Sequence, residues 1–232
     1  MIKYKKMKTG SEIIVDVLAK EGVETIFGYS GGAILPTYDE VFKFNEANPE
    51  NTMPLIVPSN EQGAGFMASG YARSTGKPGV VMVTSGPGAT NTVTPVRDAM
   101  ADSIPLVIIC GQVSRQAIGS DAFQEAPVSS VMGSVAKHVF LVTDEKKLAA
   151  TLSAAFEVAK SGRPGPVVVD IPKDVQTAEI SEEDFEDANI SAYANRIQTI
   201  EESRLTEKES SDFFAHLMNS KKPLIYFGGG VI

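Results

Sequence analysis

Cysteine occurs once, at Cys110, so no disulfide forms within the chain and no CxxC metal cluster exists. The thiol lies in the apolar run Leu106-Val107-Ile108-Ile109-Cys110, where a small buried residue is expected rather than a nucleophile. Histidine occurs twice, at His138 and His216, each isolated, and both are expected to be structural. No stretch approaches the ~18–20 apolar residues of a membrane span. Positive charge is short: 21 Lys and Arg against 29 Asp and Glu leave a net charge of −8. That balance argues against a phosphate-binding surface, which needs clustered cations. The one basic cluster, Lys3, Lys5, Lys6 and Lys8, is followed by Glu12 and Asp16 instead of the apolar run of a signal peptide. It reads as a solvated N-terminal arm over residues 1–8. A cytoplasmic, reducing setting is expected, with neither nucleic acid nor membrane as a partner.

What is present is a 43% apolar, 22% charged chain of 232 residues. That is enough for one full domain with a core and a fraction of a second. Thr9 and Glu12 are spaced as a capping box, and Ile13, Ile14, Val17 and Leu18 make a helical stripe that stops at Gly22. Strands are expected at Thr25 to Tyr29, Met53 to Val57, Val80 to Thr84, Leu106 to Cys110, Val139 to Val142 and Val167 to Ile171. Helices are expected near Ile34 to Phe44, Glu61 to Thr75, from the end of the Ser85-Gly86-Pro87-Gly88 loop to about Ala101, and Asp144 to Lys160. Strands apolar on both faces and separated by helices indicate a doubly wound α/β domain, its mostly parallel sheet covered on both sides. Its span is 9–173.

Residues 174–204 are crowded with Glu and Asp and read as an acidic linker. A second capping box, Thr206 with Glu209, then opens a helix lined by Phe213, Phe214 and Leu217. Pro223 to Phe227 reads as a strand leading into Gly228-Gly229-Gly230. Residues 205–232 therefore read as the truncated start of another α/β domain, and the chain as a fragment.

In a parallel sheet, ligands gather at the carboxyl ends of the strands. Four loops there carry unusual residues. Gly28-Tyr29-Ser30-Gly31-Gly32-Ala33 permits close backbone approach, though a plain tight turn reads equally well. Glu61-Gln62-Gly63-Ala64-Gly65 superficially matches a dinucleotide fingerprint, but its glycines lie inside the helix and suit close packing of another element better. Taken alone, Glu61 reads as a helix-start carboxylate favoured by the dipole. Thr84-Ser85-Gly86-Pro87-Gly88-Ala89-Thr90-Asn91 runs from strand into helix and suits an anion or ring, without the lysine of a P-loop. Asp121-Ala122-Phe123-Gln124-Glu125 is left unassigned by periodicity.

In this order the four loops resemble the thiamine-diphosphate pyrimidine-binding domain of acetolactate synthase large subunits. Arg163-Pro164-Gly165-Pro166-Val167 and Pro172-Lys173-Asp174-Val175 extend the match, which covers residues 9–176 and resumes at 222–232. The resemblance implies that Glu61 hydrogen-bonds the cofactor's aminopyrimidine and so activates it to remove the thiazolium C2 proton. Pyruvate is then decarboxylated and its two-carbon unit joined to a second 2-keto acid. It also implies that Tyr29, Thr84, Pro87 and Asn91 border the pyrimidine. Gly32 offers a backbone N–H of oxyanion type, and Ala33, Phe123 and Gln124 face the substrate. Lys173 stands at the channel mouth, and Arg163 contacts FAD. Magnesium and pyrophosphate belong, by the same resemblance, to a Gly-Asp-Gly motif in a C-terminal domain. No Gly-Asp-Gly occurs in this chain, so no metal ligand is assigned here. A homodimer or larger assembly through this domain and a regulatory subunit are further implied partners.

Ser30, Asn60 and Ser114 depart from the family's usual Pro, His and Pro. Ser114 falls where the family's herbicides pack, so weak binding of sulfonylurea-type inhibitors is expected. Two other readings stay open: a related thiamine-diphosphate carboligase or decarboxylase, and a non-catalytic nucleotide-binding module using the Gly86 loop.

Overall fold

The computed structural model describes residues 7–188 and 205–229. The chain divides into two compact units, Met1–Asn189 and Ile190–Ile232. In the first, β1 (Met7–Thr9) leads into α1 (Gly10–Lys20), whose N-terminus closes the Thr9–Glu12 capping box. Then follow β2 (Ile26–Tyr29), α2 (Leu35–Ala47), β3 (Leu55–Ile56), α3 (Glu61–Thr75) and β4 (Gly79–Val83). After them come α4 (Pro87–Asn91), α5 (Val93–Asp102), β5 (Leu106–Gln112) and α6 (Val128–Met132). The unit ends with β6 (His138–Leu141), α7 (Leu148–Lys160), β7 (Pro166–Pro172), α8 (Lys173–Thr177) and β8 (Glu179–Ser181).

Six strands form one wholly parallel sheet in the order β3-β2-β4-β5-β7-β6. Every residue of β4, β5 and β7 is buried, as a sheet covered on both faces requires. Val81, Val83, Ile108, Cys110 and Val168 pack with Ala64, Ala68 and Ala72 of α3 and Val96 and Ala99 of α5. The alternate strand residues face the opposite layer, where α1 packs against α2 and α7. From β2 the chain first winds outward to β3, then crosses back to β4 on the other side. The switch of direction therefore lies between β2 and β4. At such a point the loops leaving adjacent strands splay apart and open a crevice.

The helix expected after the Ser85–Gly88 loop, to about Ala101, begins at Pro87 and is two helices. Pro95 has no N–H to donate to the Asn91 carbonyl, and the Thr92 hydroxyl donates instead to the Ala89 carbonyl at 2.7 Å. Ser103, in the left-handed region at φ 60°, closes α5.

The linker expectation needs correction over residues 174–181. Val175, Gln176 and Ile180 are buried, and β8 pairs antiparallel with β1. Acidic composition hid a short helix and strand whose apolar residues dock on the domain. Lys8 likewise belongs to β1, not to a free arm. It pairs with Asp16 at 2.7 Å and with Glu182. The rest of the expected arm (residues 1–6) and residues 189–204 of the expected linker lie outside the described residues.

In the second unit, α9 (Glu207–Asn219) opens with the Thr206–Glu209 capping box. Pro223–Phe227, expected as a strand, is not one. Leu224 and Tyr226 are 94% and 99% exposed, and no described strand offers the hydrogen-bond partners that define a strand.

Candidate active site at the switch of the sheet

Glu61 is the first residue of α3. Asn60 caps the helix, its Oδ1 accepting from the Gly63 N–H at 2.8 Å, which satisfies a free helix-start donor. The Glu61 side chain is 8% exposed. Its Oε2 accepts from Asn91 Nδ2 at 2.9 Å, and Oε1 takes no bond among the described residues. The α4–α5 break ends the short helix at Asn91, whose amide reaches this carboxylate. Beside it, burial and, secondarily, the charge of Glu61 push the Tyr38 phenol above its usual range. That hydroxyl donates to the Met82 carbonyl at 2.8 Å. A carboxylate held at the head of a helix, with one oxygen tied and one unspent, is suited to accept a hydrogen bond or proton from a ring nitrogen.

The glycine turns divide by purpose. A Cβ on Gly28 would lie 2.2 Å from the Met82 carbonyl oxygen, and one on Gly31 would lie 2.6 Å from the Thr84 side chain. These two permit β2 and its loop to lie against β4. Gly32 is exposed, a Cβ there would meet nothing within 4 Å, and its N–H makes no backbone bond among the described residues, which leaves that donor available for an oxyanion-type role. Gly65 admits the Pro95 ring, 2.4 Å from a built Cβ. Helix–helix packing accounts for this glycine, and the superficial dinucleotide fingerprint is a packing feature.

Beneath the first loop lies a buried polar lattice that periodicity did not reveal. Gln176 donates to the carbonyls of Ala33 at 2.8 Å and Ile171 at 3.0 Å. Its own carbonyl-side oxygen accepts from Thr37 at 2.9 Å. The Ala33 N–H donates to Thr84 Oγ1 at 3.3 Å. Ala33, 9% exposed with both backbone groups committed, is a fastening point for the loop and presents little surface of its own to a substrate.

Tyr29 is 40% exposed at the end of β2 and Phe123 is 87% exposed. Pro87 is exposed at the start of α4, and Lys173 is exposed at the start of α8, at the same sheet edge. Gln124 adopts φ 58° and Asp121 φ 56°, both rare for non-glycine residues. Glu125 organises that turn by accepting from the N–H groups of Gly119 and Ala122, which hold its carboxyl below the usual carboxylate range. The Gln124 carbonyl oxygen lies 2.2 Å from where a Cβ of Gly86 would stand. The third and fourth loops therefore touch through a glycine.

Arg163 does not join this cluster. It precedes β7, at the opposite edge of the sheet. Its Nε donates to Ser103 Oγ at 2.8 Å and its Nη2 to the carbonyls of Met100 at 3.0 Å and Ala101 at 2.9 Å. It caps the C-terminus of α5. His138 is half-buried, its ring 4.3 Å from that of Phe140, and burial lowers its pKa. Among the described residues no group of three or more His, Cys, Asp or Glu is placed to hold a metal ion.

Asp170, on β7, is a charge inside an apolar strand that went unremarked in the sequence. It is 2% exposed. Burial pushes its carboxyl up to about 7, against the downward pull of a hydrogen bond from Gln112. An unfolded Asp titrates near about 3.9, so burying the ionised form costs nothing below that pH. The cost grows as pH rises and is complete above the folded pKa of about 7. Wild-type stability should therefore fall by up to about 1.4 kcal/mol per pH unit across that window. In Asp170→Asn this slope should be absent. Urea midpoints taken across the window check it, and equal slopes in both proteins would contradict the burial of a charge.

Residues 8–133 match the family described as thiamine pyrophosphate enzyme, N-terminal TPP binding domain. The chain is 45% identical to the mitochondrial acetolactate synthase catalytic subunit of Saccharomyces cerevisiae, over 97% of its own length and 32% of that protein. It is 41% identical to the acetolactate synthase large subunit of Lactococcus lactis, over 99% of its own length and 38% of that protein. It is 42% identical to the chloroplastic acetolactate synthase of Arabidopsis thaliana, over 97% and 32%. The chain thus spans about a third of the length of these relatives. With the Glu61 helix start, the two glycine turns and the sheet switch on which they sit all inside the matched segment, the chain belongs to the thiamine pyrophosphate enzymes and carries their N-terminal TPP-binding domain.

Proposed function

We propose that this chain forms the pyrimidine-binding side of an acetolactate synthase active site. Such an enzyme decarboxylates pyruvate and joins the two-carbon unit to a second 2-keto acid, giving 2-acetolactate or 2-aceto-2-hydroxybutanoate. The observation that carries the reading is Glu61: a nearly buried helix-start carboxylate, tied through one oxygen to Asn91 and set at the switch between β2 and β4. The donor set fits the aminopyrimidine of thiamine diphosphate. When bound, that cofactor supplies an acidic thiazolium carbon and an electron sink. Glu61 accepts a hydrogen bond from the ring and stabilises its proton-transferring form. Asn91 holds the carboxylate in position, Tyr29 and Pro87 offer apolar walls, and the Gly32 N–H faces developing negative charge.

A second copy of the chain is the proposed cover for the outward face of α3, where Phe66 and Met67 are 41% and 45% exposed. Magnesium and the pyrophosphate are assigned to segments outside this chain. FAD is proposed on the resemblance. Arg163 supports it only through Nη1, the guanidinium nitrogen that takes no bond among the described residues. A regulatory subunit is proposed because relatives are named as catalytic subunits. A cytoplasmic setting is proposed as well. The test is direct: the complete protein, given thiamine diphosphate, magnesium and labelled pyruvate, should release labelled carbon dioxide and 2-acetolactate. Carbon dioxide without acetolactate would replace this reading by that of a simple decarboxylase.

Ser114 bears on inhibitors. Its φ of −56° suits proline, and its N–H makes no backbone bond among the described residues. Ser114→Pro should therefore fold normally and gain up to about 1 kcal/mol of stability, while inhibition of the complete enzyme by a sulfonylurea should strengthen. Unchanged inhibition would detach Ser114 from the inhibitor site.

A further inference from the structure

Asp170 has a second peculiarity. Its Oδ2 accepts from Gln112 Nε2 at 2.9 Å, whereas Oδ1 is buried and meets no donor among the described residues. A buried carboxylate with one neutral partner is an unfavourable group to retain, and an apolar side chain of similar volume would fit β7 better. What it secures lies on β5, two residues beyond Cys110, its register partner. Gln112 is itself 3% exposed. Its Oε1 accepts from the Val113 N–H at 2.8 Å, and its Nε2 also donates to the Ala126 carbonyl at 3.3 Å. Val113 and Ala126 are the two ends of the loop that carries Phe123 and Gln124.

One amide thus clasps both ends of that loop, and the carboxylate ties the amide to β7. Flipping the amide would set its oxygen against Asp170 and the Ala126 carbonyl, and its NH2 against the Val113 N–H. Only one orientation satisfies all three neighbours. Among the described residues the loop is also held by Arg115, whose backbone N–H and Nε donate to Asp174 of α8 at 2.9 and 2.7 Å and whose Nη1 donates to the Thr143 carbonyl at 3.0 Å and to Glu145 at 2.7 Å. The Arg115 and Asp174 side chains are about a third exposed. Such a pair contributes little once screened by solvent.

We infer that Asp170 is a positioning residue: acting through Gln112, it anchors the Val113–Ala126 loop to the sheet and so sets where Phe123 and Gln124 stand against the substrate. The anchoring is independent of the reaction. The consequence for substrate rests on the function proposed above.

The test uses the complete enzyme with Asp170→Leu, Asp170→Asn and Gln112→Leu. In Asp170→Leu, hydrogen-exchange protection across residues 113–126 should fall about tenfold while the sheet keeps its protection. KM for pyruvate should rise about tenfold, with thiamine diphosphate affinity within about twofold of wild type. Asp170→Asn keeps an acceptor oxygen and should restore most of both. The double variant should be no worse than Gln112→Leu alone, because the two residues act in one chain of contacts. Unchanged loop protection in folded Asp170→Leu overturns the proposal. Should that variant not fold, unchanged protection in Gln112→Leu overturns it equally. A loosened loop with an unaltered pyruvate KM supports the anchor and rejects instead the placement of Phe123 and Gln124 at the substrate.

Discussion

Glu61→Gln in the complete enzyme is expected to lower acetolactate formation by at least about a hundredfold, or roughly 2.7 kcal/mol in barrier, while the protein stays folded. Glutamine keeps the size and an acceptor oxygen for Asn91 Nδ2, so the 2.9 Å contact survives. What disappears is the negative charge and its pull on the proton of the bound ring. The helix loses a first-turn anion, worth about 0.3–1 kcal/mol, which is small beside the catalytic loss. Asn91→Ala should cost less, because the charge remains while its orientation loosens. Melting temperature and initial rate, measured together, separate the two effects. A Glu61→Gln enzyme within about tenfold of wild type would remove Glu61 from the chemistry.

Gly86→Ala should be nearly as damaging, for a different reason. Gly86 has φ 43° and ψ −102°, a region costly for any residue with a Cβ. The added methyl would also stand 2.2 Å from the Gln124 carbonyl oxygen, so one loop must give way. Strain alone costs about 1–3 kcal/mol. Displacing the fourth loop should in addition raise KM for both thiamine diphosphate and pyruvate, about tenfold or more. Alanine at Gly32, where no atom of the chain lies within 4 Å, is the comparison. It should leave stability near wild type, so that any loss there reports on ligand contact. A stable Gly86→Ala enzyme with normal KM values would show that the two loops are not in contact.

Much of the unit was legible because its signals are local. The Thr9–Glu12 capping box, the helix over Glu61–Thr75 and the apolar strands read correctly, since caps and side-chain periods act within a few residues. The α4–α5 break was missed although Pro95 stood in view, because a proline removes one donor without saying where the chain re-enters a helix. Asp174–Ser181 was misread because composition outweighed four buried residues, Val175, Gln176, Ile180 and Ser181. Pro223–Phe227 has a strand's residue types without a described partner, and strand formation is decided by the partner.

For the site, residue types at loop positions, read with the family resemblance, named Glu61, Gly32, Thr84, Asn91 and Gln124 as candidates. The sequence by itself determined a parallel sheet with glycine-bearing loops at its carboxyl edge and an acid at one helix start, because hydrophobic period and turn chemistry are written residue by residue. Only the tertiary structure decided that Asn91 holds Glu61, that Gly86 receives Gln124, that Gln176 fastens Ala33 and that Gln112 joins Asp170 to a loop. Those partners lie 30, 38, 143 and 58 positions apart. Such contacts exist only once crossovers of the sheet have brought distant strand ends together, and no local propensity encodes them.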